Sequence, residues 1–144
     1  MIFSAPTAPD PTIIRVFLVD DHPIVLRALG ELLEDEPDVE LCGKARSVDG
    51  AVDAIEEARP DVVVVDMQLD NSHGDELLRH LHDRWVGVRA VVLSQLSPSL
   101  FAERARKAGA HGYVCKSDDP AKIIDAVRRV YGGETYFDDA SGKS

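Results

Sequence analysis

Four consecutive valines, Val62 to Val65, lie between Asp61 and Asp66. A run of β-branched residues with no polar break reads as a strand buried on both faces, which belongs in the middle of a parallel sheet. The strand ends on a carboxylate, Asp66, and the chain then breaks into Met67-Gln68-Leu69-Asp70-Asn71-Ser72-His73-Gly74. In open α/β sheets ligands bind beyond the carboxyl ends of the strands. Asp66 is therefore placed for chemistry, unless it merely stops the strand or caps the next helix, a common task for aspartate. The other acidic residues decide between these readings.

The flanking segments supply the rest of such a sheet. Ile13 to Val19 is a strand by length and β-branched content, and it runs into Asp20-Asp21. His22-Pro23 opens a helix, since proline suits its first turn, and Ile24, Val25, Ala28, Leu29, Leu32 and Leu33 recur at helical spacing. Val39 to Gly43 alternates as a short second strand. Ser47 is an N-cap for a helix striped by Val48, Ala51, Val52, Ile55 and Ala58, which stops before Pro60. Beyond the valine strand, Leu77, Leu78 and Leu81 carry a third helix towards Trp85. Arg89 to Ser94 is a fourth strand, and Ser97-Pro98 caps and starts the helix of Phe101, Ala102, Ala105 and Ala108. Gly112 to Cys115 is a short fifth strand followed by Lys116. The last helix starts at Asp118-Asp119-Pro120, carries Ile123, Ile124, Val127, Val130 and Tyr131, and ends at Gly132-Gly133. Strands alternating with helices through short loops demand parallel pairing, right-handed crossovers and helices on both faces. The expected fold is α/β, a doubly wound sheet of five parallel strands.

A length of 144 residues fits one domain, spanning 13–133. Residues 1–12, with Pro6, Pro9 and Pro11, read as a flexible leader, and 134–144 as a polar tail, frayed apart from Tyr136-Phe137. No apolar run reaches the roughly 18 residues of a membrane span, and no secretion signal opens the chain, so a cytoplasmic protein that engages no membrane is expected. The net charge of −10 argues against this chain gripping a phosphate backbone and suits a domain that holds a cation. Cys42 and Cys115 read as small buried hydrophobes. The histidines at 22, 73, 80, 82 and 111 have no consistent metal-ligand spacing and are expected to face solvent.

The residues just past the strand ends share one edge of such a sheet: Asp20 and Asp21, Asp66, Ser94 and Lys116. Three crowded carboxylates require a proton or a cation among them. Oxygen donors with room for water suit Mg²⁺ better than zinc. A hydroxyl and an ammonium opposite can bind the oxygens of a phosphoryl group, and phosphoryl transfer needs chiefly positioning and charge neutralisation. Asp66 is then a candidate nucleophile that would form an aspartyl phosphate.

These pieces resemble the response-regulator receiver domain of two-component signalling, over about Ile14 to Gly133. The resemblance rests on Val-Asp-Asp-His-Pro at 19–23, Asp-Val-Val-Val-Val-Asp at 61–66, Gly74 eight residues after Asp66, Leu-Ser at 93–94 and Gly-Ala-His-Gly-Tyr-Val-Cys-Lys at 109–116. Asp-Asp-His-Pro and the aromatic three residues before the lysine are similar to the NarL/FixJ subgroup. The resemblance implies the flavodoxin-like (CheY-like) strand order 2-1-3-4-5. It implies that Asp66 accepts a phosphoryl group from a sensor histidine kinase. Mg²⁺ would be held by Asp21, Asp66 and the backbone carbonyl of Gln68, with Asp20 acting through metal-bound water. Ser94 and Lys116 would contact the phosphoryl oxygens, and Tyr113 would be an aromatic switch that turns inward as Ser94 moves. It also implies a homodimer and a DNA-binding output domain beyond a linker that starts within 134–144. The surface of the first and last helices, with Arg27, Glu31, Glu34, Lys122, Asp125, Arg128 and Arg129, is the expected pairing face.

Three positions depart from the family pattern. Asp70 replaces the usual proline in the loop after Asp66. Gln95 stands where a small residue is usual, long enough to obstruct access to the phosphoryl group or the turning of Tyr113. Ser117 replaces a frequent proline, so a trans bond is expected after Lys116. Two other functions use similar parts. A Mg²⁺-dependent phosphohydrolase also has an aspartyl nucleophile, but those resembling the haloacid dehalogenase group carry a second aspartate where Gln68 stands. A phosphorylation-independent interaction module would tolerate Asp70 and Gln95. In the expected strand order Cys42 and Cys115 lie on the two outermost strands, too far apart to pair.

Overall fold

The computed structural model describes residues 12–67, 74–85 and 87–137. In chain order the elements are β1 (Ile14–Val19), α1 (Pro23–Glu34), β2 (Val39–Ala45), α2 (Val48–Ala58), β3 (Val62–Asp66), α3 (Gly74–Arg84), β4 (Arg89–Ser94), α4 (Pro98–Lys107), β5 (Gly112–Cys115), α5 (Ala121–Tyr131) and β6 (Tyr136–Phe137). Among these helices none is long and apolar enough to cross a membrane.

The valine run divides its side chains between two cores, as the two-residue period of a strand requires. Val62 and Val64 join Val16, Leu18, Val91 and Leu93 under α1 and α5. Val63 and Val65 join Phe17, Val19, Val92 and Tyr113 under α2, α3 and α4. Nothing in this strand reaches water; its valines are at most 1% exposed. Burying each such side chain is worth about 1.5–3 kcal/mol, so β3 is anchored from both faces. That anchoring fixes the position of Asp66.

The sheet is parallel throughout and runs β2-β1-β3-β4-β5-β6. The expected order 2-1-3-4-5 is present, but the sheet has six strands instead of five. The sixth forms at Tyr136 and Phe137, the two residues excepted from the frayed tail but not assigned to a strand, which pair with Gly112 and Tyr113. Gly112 eases the approach, because a Cβ there would lie 3.3 Å from the Tyr136 carbonyl oxygen, a tight contact. Arg106 of α4 stacks 4.1 Å over the Phe137 ring, and Arg129 of α5 lies 5.6 Å from the Tyr136 ring. The folded unit therefore includes Tyr136 and Phe137. The rest of the expected tail, 138–144, and the leader through residue 11 lie outside the described residues.

Two further expectations are corrected. Cys115 is on β5, which β6 covers, so it is not on an outermost strand; both cysteines are free, as expected. Ser97 makes no capping hydrogen bond to α4, and its Oγ meets Ser99 Oγ at 3.1 Å instead. Ser47 does cap α2, its Oγ accepting from Gly50 N–H at 3.1 Å. β2 runs on to Ala45 because β1 and β2 slip register between Val16 and Phe17, which brings Phe17 against Gly43. A Cβ on Gly43 would lie 2.6 Å from the Phe17 ring, so only glycine fits there.

Candidate functional site

Strand register assembles the carboxyl-terminal edge. Val19 pairs with Val65, and Asp66 pairs with Leu93, so Asp20, Asp66 and Ser94 emerge side by side. Lys116 follows β5, and its N–H donates to the Ser94 carbonyl at 2.7 Å. Asp20, Asp66 and Ser94 are each at most 1% exposed, the buried polar side chains among the described residues. Burying charge costs several kcal/mol per ion unless an opposite charge sits close by. Lys116 is that charge: its Nζ lies 3.1 Å from Asp66 Oδ2 and 3.3 Å from Asp20 Oδ2.

One ammonium does not balance three carboxylates. Oxygens of Asp20, Asp21 and Asp66 and a nitrogen of His22 lie within 4.8 Å of one another. His22 Nδ1 is 2.9 Å from Asp20 Oδ1, 2.9 Å from Asp21 Oδ1 and 3.8 Å from Asp66 Oδ2. The hydrogen bond to Asp20, then the charge of Asp21, raise the His22 pKa above that of a free imidazole. Asp20 Oδ2 is buried with no hydrogen bond, only its ion pair. A buried oxygen of that kind, beside two further carboxylates, fits a hard divalent cation.

Ser94 and Tyr113 meet at Leu96. The Leu96 N–H donates to Ser94 Oγ at 3.0 Å, and the Tyr113 hydroxyl donates to the Leu96 carbonyl at 2.9 Å. Tyr113 is fully buried, and burial pushes its phenol pKa up. The ring is thus already inward, and Gln95 is exposed. The expected obstruction of Tyr113 by Gln95 does not occur. Ser94 Oγ points into its own turn in this state.

A family profile described as the response regulator receiver domain matches residues 16–128. The chain belongs to that family. This receiver domain is 38% identical over 125 residues to the DNA-binding transcriptional activator DevR/DosR of Mycobacterium tuberculosis, covering 87% of this chain and 58% of that protein. It is 32% identical over 124 residues to the transcriptional regulatory protein DesR of Bacillus subtilis, covering 86% and 61%. It therefore spans about three fifths of these curated relatives. Among solved structures, a LuxR-family two-component response regulator from Aurantimonas sp. SI85-9A1 superimposes with a TM-score of 0.83 at 33% identity, over 90% of this chain and 92% of that one. The flavodoxin-like receiver fold read from the sequence is the fold of the molecule.

The receiver domain brings Asp20, Asp21, Asp66 and Lys116 into one cluster, and Ser94 follows Leu93, the strand partner of Asp66, with its hydroxyl held in its own turn. Gln68 and Asp70 lie outside the described residues, as does His73. His22 was expected only to face solvent; its ring is 58% exposed, yet Nδ1 turns into the acidic cluster. Its signal in the sequence is Pro23, which holds the preceding residue extended. His111 departs further from the expected exposure. It is half-buried at the opposite edge, where Nδ1 accepts from Ala90 N–H at 3.1 Å and the His111 N–H donates to the Ala90 carbonyl at 2.8 Å. His80 lies 4.0 Å from Glu76, and His82 is exposed. No described peptide bond is cis, including that after Lys116.

Proposed function

We propose that this receiver domain is a phosphorylation-controlled switch in which Asp66 accepts a phosphoryl group from a sensor histidine kinase. The observation that carries the reading is a fully buried carboxylate at the end of the central strand, with an ammonium 3.1 Å away. An Asp66 oxygen attacks phosphorus, the bond from phosphorus to the donor's imidazole nitrogen breaks, and the donor ring, already carrying a proton on its other nitrogen, takes the bonding pair and leaves as neutral histidine. Lys116 neutralises charge on the arriving group, and Ser94 receives one of its oxygens once its hydroxyl leaves Leu96 N–H. Asp21, Asp66 and the Gln68 carbonyl would hold Mg²⁺, with Asp20 reaching it through water; the ion supplies charge neutralisation. Tyr113 reports the position of Ser94 through their shared neighbour Leu96. The domain is thus not an independent enzyme, although it assists its own phosphorylation and dephosphorylation.

Incubating the chain with acetyl phosphate and Mg²⁺ should add one phosphoryl group to the intact mass, and Asp66→Asn should add none. Equal labelling of the two would sink the assignment. Steady donor hydrolysis without an adduct would favour a phosphohydrolase, and no reaction an inert interaction module.

DevR/DosR and DesR carry DNA-binding and transcriptional names, so the output we propose is a DNA-binding domain joined beyond β6. We further propose a homodimer on the α1 and α5 surface. There Arg128 is already committed within its own chain, to Asp38 at 2.9 Å and Glu36 at 2.6 Å. Arg27 with Glu31, Arg129 with Asp125 and the half-buried Lys122 with Asp118, all one-turn pairs, are the groups left to exchange partners. Sedimentation at tens of micromolar, with and without phosphodonor, tests this; monomer in both conditions removes the proposal.

A further inference from the structure

His22 is the member of the acidic cluster for which the receiver reading has no use. Its backbone explains where its ring goes. Pro23 confines His22 to extended dihedrals, φ −99° and ψ 110°, and the side chain makes no capping bond to α1. The His22 N–H instead donates to Asp20 Oδ1 at 2.9 Å, which turns the residue back towards the carboxylates.

The spacing of the resulting donor set has a chemical meaning. Donors about 2.1 Å from an octahedral cation are separated by about 3.0 Å along an edge and about 4.2 Å across the diagonal. Nδ1 stands 2.9 Å from Asp21 Oδ1, an edge distance, and 3.8 Å from Asp66 Oδ2, while its 2.9 Å contact with Asp20 Oδ1 joins the carboxylate that reaches the cation through water. The buried Asp20 Oδ2 makes no hydrogen bond and meets only the Lys116 ammonium, at 3.3 Å, one positive charge for three carboxylates. The imidazole can keep its proton on Nε2, on the solvent side of a ring that is 58% exposed, and present the Nδ1 lone pair inward. Imidazole suits transition metals, whereas Mg²⁺ favours oxygen.

We propose that His22 Nδ1 is a direct donor to the divalent cation of this pocket, so that the site accepts Mn²⁺ and its transition-metal neighbours in preference to Mg²⁺. The inference rests on the reading that the pocket holds a cation. It is distinct from a role in which Nδ1–H merely donates to Asp20 and orders the carboxylates.

Selectivity alone does not test it, because oxygen-only sites also rank transition metals above Mg²⁺. The measurement is pulsed electron paramagnetic resonance on the tag-free, Mn²⁺-loaded chain, which detects nitrogen bonded to manganese. Wild type should show one coordinated imidazole nitrogen, and His22→Ala should lose it. The ratio of Mn²⁺ to Mg²⁺ affinity should fall by about tenfold or more in His22→Ala, on the scale of lost metal-site support, and likewise in His22→Asn, a smaller polar change that guards against misfolding. Mn²⁺ bound to wild type without a coordinated nitrogen, a nitrogen signal that survives in His22→Ala, or an unchanged affinity ratio in both variants would each overturn the proposal while leaving the cation pocket standing. Failure of both ions to bind wild type would overturn the pocket reading and this inference together.

Discussion

Asp61 and Asp66 bracket the same four valines, yet their surroundings share little. Asp61 is stapled into the backbone of its neighbours. Its Oδ2 accepts from Arg15 N–H at 2.9 Å, its own N–H donates to the Arg15 carbonyl at 2.8 Å, and its carbonyl accepts from Arg89 N–H at 3.0 Å. Asp66 is fully buried among charges, with Lys116 at 3.1 Å, His22 at 3.8 Å and two more carboxylates in the same cluster. The histidines repeat the contrast. His111, near Asp61, has its pKa lowered by burial and then by the charge of Arg89, while His22, near Asp66, has its pKa raised by Asp20 and Asp21. An acid at a strand end is therefore no sign of function in itself. The amino-terminal edge spends its polar groups on holding strands together, and the carboxyl-terminal edge keeps its charges crowded for a ligand.

Magnesium should separate the two edges most sharply. A ligand at one hundred times its dissociation constant stabilises the native state by about 2.7 kcal/mol. Saturating Mg²⁺ should raise the wild-type melting temperature accordingly and raise that of Asp21→Asn far less. Equal shifts would erase the difference drawn above. Asp61→Ala should behave in the reverse sense. Losing the acceptor of the part-buried Arg15 N–H should cost about 1 kcal/mol in denaturant unfolding, but the Mg²⁺ shift should survive intact. An Asp61→Ala protein that no longer responds to Mg²⁺ would mean that the edges are coupled.

Acid gives the smallest effect. The folded pKa of His111 lies below the unfolded value of about 6.5, so in acid the unfolded chain binds the extra proton. This residue's contribution is complete above about pH 6.5 and is lost as pH falls from there towards the folded pKa. His111→Gln should lose less stability between about pH 7.5 and pH 5.5 than wild type does, read as the shift of the urea midpoint. Identical losses would remove His111 from the account.

Most of the architecture was legible because it rests on periodicity. The valine run, the leucine stripes of α1 and α3, and the proline and serine helix starts each specify an element locally, and parallel alternation leaves few ways to join them. Asp20, Asp21, Asp66, Ser94 and Lys116 were legible because topology sends every strand end to one edge. What escaped has no period. Tyr136-Phe137 is too short a strand to alternate, and its partner strand lies more than twenty residues back in the chain, at Gly112 and Tyr113. His22 and His111 are single residues whose partners are chosen by backbone geometry, at Pro23 and at Ala90. The inward state of Tyr113 is a conformation, which composition does not encode.

The small sixth strand has a consequence for handling the molecule. Gly112-Tyr113-Val114-Cys115 is a buried, uncharged strand whose outer edge is paired at Gly112 and Tyr113 by Tyr136 and Phe137. Cutting the chain at Gly133, the boundary that the helix-ending glycines suggest, would strip that cover. It would leave a bare edge of the kind that templates association between copies. A fragment trimmed there would precipitate or self-associate through β5, and its oligomers would then be an artefact of the cut.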